Sequence, residues 1–147
     1  MYKRQGQNSA SWAAFDTAND LLLPAIEDNK RARTDELNQT GQGTAEISFS
    51  ASAGPAEPIA LATLDTGAIV AVNVYESDTA KPTNADAVIK LDNNPAVKAL
   101  TGVDQSATGF TTTYTDQIFF YVPSQGSDDK IRLLGYRSSL LEAKVSP

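Results

Sequence analysis

The sequence predicts a mainly β protein, a sandwich or barrel of short antiparallel strands, preceded by an N-terminal helical segment. Three observations lead there. Residues 9–39 hold no glycine and one proline, and their large apolar residues recur at spacings of three and four, the period of one helix face. After "TGQGT" at 40–44 the pattern changes to alternation in short runs separated by turn residues, which is strand chemistry. The 147 residues, 41% hydrophobic and 20% charged, suffice for an ordinary globular domain with a core. The expected organisation is a helical arm over 1–40 and a β domain over 41–147.

In the helical segment Trp12, Phe15, Ala18, Leu22 and Ile26 fall on one face. Ser9 or Ser11 is placed to cap its start, and Pro24 either kinks it or opens a second helix. Glu27–Arg31 and Asp28–Arg31 are spaced as intrahelical pairs, worth only about 0.2–0.5 kcal/mol each. A stripe that thins beyond Ile26 needs a surface to lie on, in its own domain or a partner.

In the β part, Ala45, Ile47, Phe49 and Ala51 alternate with polar residues. "AGPAEP" at 53–58 is a turn or crossover. Ile59–Leu64 and Ala68–Tyr75 are strand candidates, and Ala87–Leu91 is a short one. Residues 92–110 read as loop. "TTTYTDQIFFYV" at 111–122 is the strongest strand, with Tyr114, Ile118, Phe120 and Val122 on one parity and Asp116 interrupting. "PSQGSDD" at 123–129 reads as a hairpin loop and "KIRLLGY" at 130–136 as the returning strand. Residues 138–145 fit a strand or a short helix.

Composition narrows the chemistry. The chain contains no Cys and no His, which removes disulfides, thiolate and imidazole metal sites, and the Ser-His-Asp and Cys-His nucleophile systems. A net charge of −6 and the lack of a basic stripe argue against nucleic acid. Lys30-Arg31-x-Arg33 lies between acidic pairs and reads as a salt-bridged surface. The basic start at Lys3-Arg4 has no apolar core behind it, so no signal peptide is expected, and the apolar runs 68–72 and 118–122 are too short to span a membrane. No cofactor or metal is expected. The acidic stretches 76–78 and 127–129 lack Ca²⁺-loop ligand spacing and read as solvated turns.

One motif carries possible chemistry. "LDTGA" at 64–68 and "LLGYRSSLL" at 133–141 resemble the two signatures of retropepsin-like aspartic proteases, in the right order. That resemblance implies a homodimer in which Asp65, Thr66 and Gly67 of each chain supply one half of a carboxylate pair sharing a proton. The family's glycine-rich flap has no counterpart between the motifs, and "AIVAVNVY" continues as a strand where the family turns away. Asp and Gly also suit a tight turn, and the expected reading is that Asp65-Thr66-Gly67 bends an antiparallel ribbon over 58–75.

Scarcity of catalytic side chains, an amphipathic leading segment and a β part rich in Ala, Thr, Ser, Gly and Asn favour a structural subunit over an enzyme. "PIALATLDTGAIVAVNV" at 58–74 resembles tailed-phage head-decoration (cement) proteins, in which a Pro leads into a strand, a Leu-Asp turn and a Val-rich strand. The resemblance implies a homo-oligomer, a trimer, seated on capsid subunits in the virion and contacting them through an N-terminal arm. Its contact residues here are Trp12, Phe15, Leu22 and Ile26, with Lys3 and Arg4, and neither nucleic acid nor membrane is a partner. A tail-tube or neck subunit, and a sugar- or peptide-binding module using the 92–110 loop, are the remaining alternatives.

Overall fold

The structure, a computed structural model, describes residues 11–41 and 43–147, and for Thr40 the backbone only. It is mainly β with an N-terminal helix. Two 3-10 turns, Trp12–Ala14 and Thr17–Asn19, lead into α1 (Leu22–Gly41). Seven strands and a second helix follow: β1 (Ala45–Ala53), β2 (Ile59–Ala62), β3 (Ala68–Pro82), β4 (Ile89–Lys90), α2 (Pro95–Thr101), β5 (Gln105–Ser106), β6 (Phe110–Val122) and β7 (Arg132–Val145). A five-stranded sheet has the order β1-β3-β6-β7, with β2 also on β3; β4 and β5 form a separate two-stranded sheet.

The helix begins later than the apolar spacing predicts. Phe15 has extended backbone and makes a parallel bridge to Ile131. Asp16 N–H donates to the Ile131 carbonyl and Ile131 N–H to the Ala14 carbonyl, each at 2.8 Å. A backbone bridged in this way cannot also complete a helical ladder, so Trp12, Phe15 and Ala18 lie ahead of the helix rather than on its face. Asp20, not Ser11, caps α1, and Ser9 lies outside the described residues: the Asp20 Oδ1 accepts from Leu22 N–H at 2.8 Å and Leu23 N–H at 3.4 Å, satisfying donors that the first turn leaves open. Pro24 sits in that first turn, where its missing N–H costs little. Arg31 pairs with Asp28 at 3.1 Å as the spacing predicts, but Glu27 takes Lys30 at 2.8 Å instead of Arg31.

One other expectation is corrected, and of the two readings of 138–145 the strand holds. The 92–110 stretch contains α2. Asn94 caps it by accepting from Val97 N–H at 3.2 Å, Pro95 opens it, and Gly102 closes it at φ +73°, the usual Pro-first, Gly-last arrangement. The tail is strand, not helix: β7 runs to Val145, and Ser146 N–H donates to the Gly109 carbonyl at 3.0 Å.

The expected ribbon is present. β2 and β3 are antiparallel, with Ile59 opposite Ala71 and Ala62 opposite Ala68. Farther along β3, Gly54 N–H donates to the Asn73 carbonyl and Thr83 N–H to the Thr44 carbonyl, so β1 runs antiparallel to β3 just after β2 does.

The chain forms two compact units. Unit 1 takes Ala51–Tyr75, Thr115–Ser138 and the described stretch 11–26; unit 2 takes Glu27–Ser50, Glu76–Tyr114 and Ser139–Pro147. The unit 1 core is Leu22, Ile26, Ile118 and Phe120, with Phe15, Val72, Val74, Ile131 and Leu133 against it. The Phe15 and Phe120 rings meet edge to face, 5.6 Å between centroids, a favoured aromatic geometry. The unit 2 core is Leu91, Val97, Phe110 and Ala143, with Ile89 and Leu140 against it. In unit 2, Gly109 has φ +94°, and a Cβ there would lie 2.0 Å from the Ala80 carbonyl oxygen, so no other residue fits.

Candidate functional site

Unit 1 holds the acidic corner that the sequence singles out. Residues 63–67 join β2 to β3; Thr63 N–H donates to the Gly67 carbonyl at 2.9 Å and Thr66 N–H to the Thr63 carbonyl at 3.1 Å. Thr66 has φ +64°, a left-handed conformation costing a non-glycine residue about 1 kcal/mol. A Cβ on Gly67 would come within 2.8 Å of the Tyr121 hydroxyl and the Val122 carbonyl oxygen, so the motif's glycine admits a neighbouring strand. Both oxygens of Asp65 accept hydrogen bonds inside the chain, Oδ1 from the Thr63 hydroxyl and Oδ2 from the Tyr121 hydroxyl, the latter at 2.6 Å. The Thr63 bond first, and the Tyr121 bond next, hold the Asp65 carboxyl below its ordinary range. The same bond to Asp65 pushes the Tyr121 phenol up. The Arg132 guanidinium lies over the Tyr121 ring, 5.1 Å from its centroid. Asp65 and Thr66 are exposed while Gly67 is buried, and the carboxylate pins a turn.

Unit 2 holds a cleft of about 560 Å³. The ends of α1 and β1, the β4–α2 segment and the strands β3 and β6 line it. Arg33 from α1 reaches the buried Asp78 of β3 as an ion pair, and its guanidinium stacks on the Tyr114 ring, 4.4 Å from the centroid. A paired, stacked guanidinium compensates a carboxylate that would be costly to bury alone. Around the pair the wall mixes Lys90, Glu36 and Asp92 with Leu37, Ile47, Val88 and Ile89. Among the described residues no group of three or more Asp or Glu is placed to hold a metal ion.

A third feature is a surface. In unit 1 the core side of the sheet takes Val72, Val74, Ile118, Phe120, Ile131 and Leu133, so strand alternation sends the other parity outward. Those outward positions include Asn73, Thr115, Gln117 and Arg132, but many of the rest are apolar. Ile59 and Leu61 of β2, 66% and 65% exposed, stand beside Ala71 and Ile69 of β3. Phe119 of β6 is 41% exposed, and Leu134 and Tyr136 of β7 are 52% and 41% exposed. Arg132 over Tyr121 confirms that these parities of β6 and β7 share a face.

The outward positions of β3 and β6 in unit 2 contrast with this. Ser77 and Thr113 hydroxyls bond each other at 3.1 Å, as do Thr79 and Thr111, and Thr111 also meets Ser146 at 3.0 Å. The Thr-rich stretch therefore satisfies its hydroxyls across the strands.

Comparison with known proteins places the chain by sequence. It belongs to the family described as Domain of unknown function (DUF8094), whose model matches residues 2–145. No curated protein and no solved structure matches the chain.

Of the residues expected to contact a partner, Leu22 and Ile26 are buried against Ile118 and Phe120, so this fold directs them into the core. Phe15 is half-buried against the same core, Trp12 is half-buried, and Lys3 and Arg4 lie outside the described residues. Asp65, Thr66 and Gly67 come together as a hairpin corner. Sequence reasoning missed the outward row of Ile59, Leu61, Phe119, Leu134 and Tyr136. The signal was the unbroken run Ile118–Val122, since a strand apolar on both parities expects cover on both faces.

Proposed function

We propose that the chain is a structural virion protein, a capsid-decoration (cement) subunit that works by binding other protein subunits. The observation that carries this reading is the exposed apolar face of unit 1. Isolated exposed apolar residues are ordinary, but a contiguous set of aromatic and large aliphatic side chains across four strands is a surface to be covered by protein. Two further observations support it. The ribbon at 58–75, whose sequence resembles the decoration family, is an antiparallel hairpin that carries part of that face. The Asp65 carboxylate holds the corner of the hairpin, a structural task.

The test looks for a major capsid gene among the neighbouring reading frames and cosediments the full chain with empty shells assembled from its product. Saturable binding is expected, and a chain left in the supernatant at all ratios sinks the reading. Deleting residues 1–40 is a poor probe of the arm, because it removes Leu22 and Ile26 from a core. The triple variant Lys3→Ala, Arg4→Ala, Trp12→Ala leaves those two in place and should weaken attachment if the leading segment touches the shell.

A further inference from the structure

We infer that the apolar face of unit 1, formed by Ile59 and Leu61 of β2, Ile69 of β3, Phe119 of β6 and Leu134 and Tyr136 of β7, is covered by a second copy of this chain. The inference rests on the proposed role as an assembly subunit and names the partner.

Area is the first argument. Six side chains, 37–66% exposed, present on the order of 500–600 Å², given that a large aromatic side chain offers 150–250 Å² in all. That is the apolar centre of a stable interface, which takes about 800 Å² from each partner, and it reaches the upper range for the largest patch on a monomer.

Charge is the second. The chain carries −6, so two copies repel unless they meet where the excess is absent. The outward positions of β2, β3, β6 and β7 in unit 1 include one charged side chain, Arg132, whose guanidinium lies on the Tyr121 ring. An acidic chain can bring this face against its own copy without stacking like charge. A lipid surface fits poorly, since an interfacial face is flanked by several Lys or Arg rather than one.

Shape is the third. The face is the side of a twisted sheet, which packs well on another sheet about 10 Å away with side chains interleaved. Two copies of one such face form a self-complementary contact.

The experiment is sedimentation velocity on the full chain over a dilution series, with Phe119→Glu and Leu134→Glu as variants. Both side chains point outward, so circular dichroism should match the parent. The parent should sediment as an oligomer, and each variant should weaken self-association on the order of a hundredfold, as loss of a central anchor does. Because the chain lacks cysteine, Gln117→Cys supplies a unique thiol at an exposed position on the same parity of β6 as Phe119, with every anchor kept. A short bis-maleimide should join two Gln117→Cys chains and fail to join Ala18→Cys chains, whose thiol stands in unit 1 on the exposed turn between Phe15 and Leu22, the residues that cover the core side of the same sheet. A monomeric parent, or an oligomer that survives both glutamate variants, overturns the inference. A monomer that binds shells overturns it and leaves the proposed function standing. An oligomer that dissolves in Phe119→Glu but never binds shells supports it while the proposed function falls.

Discussion

β3 and β6 contribute to both compact units, and their odd-numbered positions differ between the two. In unit 2 they hold Ser77, Thr79, Thr111 and Thr113, whose hydroxyls bond one another in pairs. In unit 1 they hold Asn73 and Thr115, which make one such polar pair at 2.8 Å, but also Ile69, Ala71, Tyr75, Phe119 and Tyr121, with Gln117 among them. Small β-branched hydroxyl residues that satisfy each other can face water without a further partner. Aromatic and large aliphatic residues on the same parity have no such internal solution. The difference shows that one strand can finish its fold in one unit and leave a face for assembly in the other. The even-numbered positions differ less, because each unit buries its own cluster there, Ile118 and Phe120 in one and Phe110 in the other.

The largest effects should come from breaking one core and watching both units. Phe120→Ala removes a buried ring that also meets Phe15 edge to face and should cost about 3–5 kcal/mol. Phe110→Ala should cost a similar amount through the unit 2 cluster. Amide hydrogen exchange separates them: Phe120→Ala should deprotect 115–122 first, and Phe110→Ala the amides of α2. Equal loss of protection everywhere in both variants would show that the two clusters melt as one.

The next effect contrasts two carboxylates, Asp78 in unit 2 and Asp65 in unit 1. Asp78 is buried and paired with Arg33. Removing the cation by Arg33→Ala strands that charge and uncovers the Tyr114 ring, at a cost of about 3 kcal/mol, the low end for a buried pair because Arg33 is one-third exposed. The double variant Arg33→Met, Asp78→Val should recover most of that loss in urea unfolding, since an apolar replacement leaves no buried charge behind. A double variant no more stable than Arg33→Ala would show that the stack on Tyr114, not the ion pair, carries the stability.

The fold class and the strongest strands could be read from alternation because one parity faces a core; the ribbon at 58–75, whose first strand is exposed throughout, was legible from its Asp-Thr-Gly corner. Legibility failed where a long-range contact overruled local spacing. Trp12, Phe15 and Ala18 repeat with a helical period, but the bridge from Phe15 to Ile131 fixes an extended backbone that no local pattern reveals. Helix α2 is signed by Asn94, Pro95 and Gly102 and was hidden only by its shortness. At the candidate site, Asp65-Thr66-Gly67 was legible as a corner because Asp and Gly suit tight turns. Its tie to Tyr121 joins residues far apart in sequence and could not be foreseen. The apolar face was the least legible feature, since exposure depends on which strands lie beside which.

The smallest effect belongs to Asp65, and its sign can be derived in both pH directions from one hydrogen bond. The Thr63 and Tyr121 hydroxyls favour the ionised carboxylate, so its pKa is lower in the folded chain than in the unfolded one. Its contribution is present above the unfolded carboxyl pKa and is lost as pH falls through the folded value. The Tyr121 phenol is raised, chiefly by the same bond, so its contribution is present below the unfolded phenol pKa and is lost as pH rises through the folded value. The parent should therefore show a shallow plateau of stability between the acid and alkaline limits. Tyr121→Phe should flatten both shoulders while leaving the Thr63 share of the acid one. Asp65→Asn should remove the acid contribution of this carboxyl and most of the alkaline one of Tyr121, whose burial also raises it, leaving melting temperature near neutrality little changed because Asp65 is exposed. Carboxyl and tyrosine ring resonances followed by NMR across pH provide the check, and a Tyr121 titration unmoved by Asp65→Asn would remove the bond from this account.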